Sequence, residues 1–108
     1  MTKSSGRRGK PLRLAEAVRY SKNAIVSKTI LEKKTGSLTL FAFDAGQGLS
    51  EHTSPYDATV QIVEGHAELV IGGASVKAEA GELVVMPAGI PHAVKARTRF
   101  KMLLIMIR

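Results

Sequence analysis

The chain has no cysteine. Disulfides and thiolate metal sites are thereby excluded, and with nothing calling for an oxidising compartment the expected location is the cytoplasm. No apolar run approaches the roughly 18 residues of a membrane-spanning helix. The N-terminus has no apolar segment behind its charges of the kind a secretory signal carries. Aromatic residues are 5% of the chain, so the stacking platforms of nucleic-acid binders have little to be built from. Acidic residues are also few, 9 against 16 Lys and Arg, for a net charge of +7. That excess is local. Lys3, Arg7, Arg8, Lys10 and Arg13 all precede the first acid, Glu16. A second basic set, Lys95, Arg97, Arg99 and Lys101, falls at alternate positions, as on one face of a strand pair. With no nucleic-acid motif beside them, these read as a solubilising tail and a solvated strand edge, and nucleic acid is not an expected partner.

What is present is 108 residues with 44% hydrophobic content, enough for one domain with a real core. Residues 1–11, MTKSSGRRGKP, read as a disordered basic arm. Residues 12–18 suit a short helical turn. From residue 24 onward the pattern is that of short strands separated by glycine-bearing turns. Strands are expected over 24–31, 37–43, 59–63, 66–71, 74–78, 83–86, 93–96 and 100–107. Eight such strands predict an all-β, antiparallel sandwich or small barrel formed by residues 12–108. The last strand, FKMLLIMI, is apolar on both faces, and the strand at 24–31 has no evident role inside a minimal barrel. Both features point to a homodimer that covers them.

The most telling stretch is GELVVMPAGIPH, residues 81–92. The apolar run Leu83–Met86 is too short for a helix and is bounded by turn formers, so it reads as a buried strand. Pro87 and Gly89 turn the chain, Pro91 stiffens the return, and His92 opens the next strand with little freedom. A second histidine, His52, lies in an equally punctuated segment upstream.

In this order and spacing, Gly81, Pro87, Gly89 and His92, preceded by Gly46, His52 and Gly65, resemble the two motifs of the cupin superfamily. The resemblance covers about residues 37–107 and implies a double-stranded β-helix, or jelly-roll barrel. It also implies a metal site inside the barrel, built in the family from two histidines and a glutamate of the first motif and the histidine of the second. This chain keeps His52 and His92 but has Ser54 in place of the second histidine, Ala58 in place of the glutamate and Ala96 in place of the second motif's asparagine. Two imidazoles are fewer than the three protein ligands usual at a catalytic metal. A divalent transition metal (Fe, Mn, Ni or Zn) is therefore expected to bind weakly at His52 and His92, if at all. Strand parity from position 58 turns Asp57 away from the barrel and points Gln61 outward unless a bulge shifts the register. The expected function is binding of a small molecule at the barrel mouth, with His52, Ser54, Tyr56, Gln61, Met86 and His92 as the candidate site. The alternative is a metal-dependent oxidoreductase of dioxygenase type, or an isomerase, acting on a small polar substrate.

Overall fold

A computed structural model describes residues 9–108. Most of the basic arm expected at 1–11 lies outside the described residues; Gly9, Lys10 and Pro11 are exposed. Among the described residues nine strands follow one 3-10 turn at Leu14–Glu16, within the stretch where a short helical turn is expected: β1 (Ile25–Lys33), β2 (Gly36–Phe43), β3 (Gly48–His52), β4 (Asp57–Glu64), β5 (His66–Ile71), β6 (Ala74–Glu79), β7 (Leu83–Met86), β8 (His92–Lys95) and β9 (Phe100–Ile107). They form two antiparallel sheets. One has five strands in the order β1-β2-β9-β4-β7, and the other has four in the order β3-β8-β5-β6. The crossovers between sheets make a jelly roll.

The core lies between the sheets. Phe43, Phe100, Val60, Ile62, Leu69 and Met102 are almost wholly buried there. Phe43 and Phe100 are register partners on β2 and β9, and their rings stack at 4.7 Å with an interplanar angle of 6°. The alternation in β4 sets the two faces: Ala58, Val60 and Ile62 are buried in this core, whereas Thr59, Gln61 and Val63 alternate with them on the outer face.

A second, smaller core lies on the outer face of the five-stranded sheet. There Val18, Leu40, Ala42 and Leu103 pack with Leu14, Ala17 and Tyr20 of the N-terminal segment. Polar contacts fasten that segment down. The Tyr20 hydroxyl donates to Glu64 Oε2 at 2.6 Å, and the Arg99 guanidinium lies 4.4 Å from the Tyr20 ring centroid. Lys101 Nζ donates to the Ala15 carbonyl and lies 3.8 Å from Glu64.

Two sequence expectations change here. The alternating basic residues do not form one solvated face. Lys101 is buried under the N-terminal segment, Arg97 pairs with Glu68, and Arg99 pairs with Asp44. The early strand also has a full intramolecular role, because β1 pairs along its length with β2 in a hairpin turned at residues 34–35.

Candidate functional site

Strand β3 is the element that carries His52, and the hydrophobic pattern gave no sign of it. Only Leu49 among its five residues is apolar, and the strand is largely exposed. Backbone pairing with β8 holds it: Gly48 pairs with Lys95, Leu49 with Val94 and, after an irregularity, His52 with His92. Gly48 permits the close approach, since a Cβ there would collide with the Val94 carbonyl.

The turn before His92 is fixed just as firmly. Gly89 adopts φ +77°, a conformation that favours glycine. Its N–H donates to the Ser54 carbonyl at 2.8 Å, and the Ala88 N–H donates to Asp57 Oδ1 at 2.8 Å. Gly72 N–H donates to the Pro91 carbonyl at 2.8 Å. The two prolines and this glycine, singled out in the sequence, thus place His92 at the first residue of β8.

The result is a cross-strand imidazole pair. The rings of His52 and His92 are 4.4 Å apart between centroids and inclined at 72°. His52 Nδ1 lies 2.7 Å from the Ser50 carbonyl, and His92 Nδ1 lies 3.1 Å from the Ile90 carbonyl. A carbonyl oxygen only accepts, so each Nδ1 carries the hydrogen and each neutral ring keeps its lone pair on Nε2. No described residue hydrogen-bonds to either Nε2. His92 is only 3% exposed, yet no side-chain nitrogen or oxygen among the described residues is both buried and unpartnered. Its Nε2 must therefore open on free space.

His92 lines a cavity of about 100 Å³ between the sheets, and His52, Ser54, Ala58, Met86 and Met106 are also among its lining. Leu49, Val94, Met102 and Leu104 complete an otherwise apolar wall. The structure thus brings together four of the six candidate residues: His52, Ser54, Met86 and His92. Tyr56 and Gln61 stand outside. Tyr56 lies in the exposed turn, where its N–H donates to Ser54 Oγ at 3.1 Å. Gln61 is on the outer face of β4, opposite Leu83 and Leu103, because no bulge occurs before it. A wider, open groove of about 440 Å³ runs along β3 and β8, lined in part by Glu51, Val70 and Lys95.

The residues do not fit a tightly held divalent metal. Among the described residues no group of three or more His, Cys, Asp or Glu is placed to hold an ion. Ala58 offers no donor, and the Asp57 carboxylate is exposed and occupied by the Ala88 amide.

The comparisons with known proteins agree with this architecture. The cupin domain family matches residues 39–108. The chain belongs to the cupin family. A conserved Streptococcus pyogenes protein of unknown function is 37% identical, with 93% of this cupin and 88% of that chain covered at a TM-score of 0.87. A cupin 2 conserved barrel domain protein from Leptotrichia buccalis is 38% identical, covering 87% of this chain and 46% of its own at a TM-score of 0.84. Salicylate 1,2-dioxygenase from Pseudoaminobacter salicylatoxidans shares the fold alone, at 19% identity over 77% of this chain and 26% of that one, with a TM-score of 0.71. No curated protein matches the sequence. Among the described residues no helix is long and apolar enough to cross a membrane.

Proposed function

We propose that this cupin binds a small organic molecule in the cavity between its sheets, without a tightly held divalent metal. The observation that carries the reading is a pair of imidazoles that line an apolar space, each tied through Nδ1 to a backbone carbonyl, so that Nε2 of each ring is left to accept. Pockets at the mouths of β-barrels, mostly apolar with a few placed polar groups, commonly take small ligands. The polar end accepts hydrogen bonds, so the ligand carries a donor such as a hydroxyl or an amine N–H. The walls are aliphatic and thioether, so its body is apolar. Size is the second constraint. A dry cavity of about 150 Å³ admits benzene, so about 100 Å³ points to a single ring or smaller, with any excess projecting past exposed His52.

The dioxygenase-like or isomerase reading needs a third protein ligand or a base with an orienting carboxylate, and the cavity lining supplies neither. Titration of the metal-free protein with phenol, followed by NMR, tests binding. Saturable shifts at the cavity residues that disappear in Ala58→Leu, which fills the space, support the reading. Shifts that persist in that variant, or no shifts at all, contradict it.

The same reading includes a second copy of the chain as partner. Leu83, Val85 and Ile107 are 55%, 53% and 64% exposed on the outer face of the five-stranded sheet. Across that face the register sets Leu83 beside Gln61 and Leu103, and Val85 beside Thr59 and Ile105. These two rows of β7, β4 and β9 carry no charge in a chain of net +7, so they are where two like-charged copies meet with least repulsion.

A further inference from the structure

The side of the cavity that faces the imidazoles carries thioethers. Met86, Ala58 and Met106 form one row across the five-stranded sheet, since Ala58 is the register partner of Met86 on β7 and of Met106 on β9. Ala58 contributes a single methyl group, so the space between the two long side chains stays open. This row lines the same cavity as His52 and His92, with Met102 farther along β9.

Two imidazoles and three thioethers therefore converge on one small space. All five side chains are neutral when the histidines are unprotonated, and no carboxylate lines the cavity. The cost of taking an ion out of water rises with the square of its charge, and a divalent ion here meets no opposite charge to offset it. A monovalent ion meets a much smaller cost. Thioether and imidazole donors are also the ligand types that select Cu(I), whereas carboxylate, carbonyl and water suit the harder ions.

We propose that the His52–His92 cavity binds Cu(I), held by the two imidazole Nε2 atoms and the thioethers of Met86 and Met106. The proposal rests on the reading of this cavity as a ligand site, and the ion and an organic hydrogen-bond donor compete for the same nitrogens. The backbone ties at both Nδ1 atoms set the rings in the tautomer a metal needs, so no proton has to leave a neutral imidazole when the ion binds. The short apolar wall formed by Leu49, Val94 and Leu104 surrounds the donors and disfavours the more strongly hydrated divalent state.

The test titrates the full chain, metal-free and untagged, with Cu(I) under anaerobic conditions against a chromogenic Cu(I) chelator. Parallel titrations use Ag(I), a redox-inert monovalent ion, and Zn(II). The methionine methyl resonances are followed by NMR. The expected result is one equivalent of Cu(I) or Ag(I), bound with shifts at Met86 and Met106, and weaker Zn(II) binding. Met86→Leu and Met106→Leu keep the side-chain volume and so the fold. Each should weaken Cu(I) by at least about tenfold, a loss that even outer-shell changes cause at metal sites, and leave Zn(II) unaffected. Zn(II) binding as tight as Cu(I), or Cu(I) affinity that survives both substitutions, overturns the proposal. Phenol binding without Cu(I) binding overturns it while leaving the ligand-cavity reading intact. Failure of both overturns both.

Discussion

The two faces of β9 have nearly the same composition and different work. Inward, Phe100, Met102, Leu104 and Met106 meet the facing sheet, in the main core or packed against it. Outward, Lys101 and Leu103 are 7% and 9% exposed beneath the N-terminal segment, whereas Ile107 is 64% exposed. Both faces are tightly filled near Phe100 and loosen toward the C-terminal end. On the inside, the loosening is the cavity beside Met106. On the outside, it is the uncovered apolar patch continued by Leu83 and Val85. An apolar residue is therefore fully packed at one end of the strand, and at the other it borders a cavity or stands exposed.

The largest contrast comes from substitutions along this strand. Phe100→Ala removes the partner of the Phe43 stack and should cost about 3–5 kcal/mol in denaturant unfolding. Ile107→Ser at the loose end should change stability by no more than about 0.5 kcal/mol. Equal effects would erase the distinction between the ends.

The outer face near Lys101 is the next to break. Tyr20→Phe removes the hydroxyl that donates to Glu64 and should cost about 1 kcal/mol, the net worth of a typical hydrogen bond. Burial first, and then the Glu64 carboxylate, pushes the Tyr20 hydroxyl well above its ordinary pKa. The neutral phenol is therefore favoured in the folded state. Stability from this contact should be fully present below the unfolded tyrosine's pKa of about 10 and decline as pH rises past it. Unfolding measured at pH 8 and pH 11 should show that decline in the native chain and less of it in Tyr20→Phe.

The acidic limb draws on other residues. The Asn23 and Ala45 amides, with Arg99 beside them, hold the Asp44 carboxyl below its usual range, and Arg97 and then Ser75 do the same for Glu68. A lowered carboxylate pKa contributes stability that is present above the unfolded value of about 4 and lost as pH falls below it. Both carboxyls pair with well-exposed arginines, so the loss should be small and should shrink further in high salt. The smallest effect on folding belongs to Val85→Lys. It should leave the melting temperature nearly unchanged and convert a dimer to a monomer in light scattering. A native chain that is already monomeric at micromolar concentration would contradict the shared outer face.

Most of the fold was legible because alternation and glycine turns mark strands wherever one face is buried. β3 escaped that logic. Gly48–His52 buries almost nothing, and backbone hydrogen bonding to β8 alone defines it. Lys101 departs from its pattern for the complementary reason. Its alternation with Arg97 and Arg99 looked solvated, and nothing local shows that residues 14–20 return to cover it. The two histidines and the turn that sets His92 were legible from punctuation by proline and glycine. The Met86–Ala58–Met106 row was not, since those residues become neighbours only once β7, β4 and β9 are placed in register. Gln61 shows parity at its most useful, for the unbulged strand turns it outward as strict alternation requires.

His52 and His92, with Nδ1 tied to backbone carbonyls, should offer two unprotonated Nε2 acceptors to the cavity they line. The imidazole 15N spectrum of the metal-free protein near pH 8, recorded with and without phenol, tests it most directly. Both rings should show the Nδ1–H tautomer, with a saturable shift of both Nε2 resonances as phenol binds. Nε2–H tautomers, or phenol shifts confined to the open groove at Glu51 and Lys95, would contradict it.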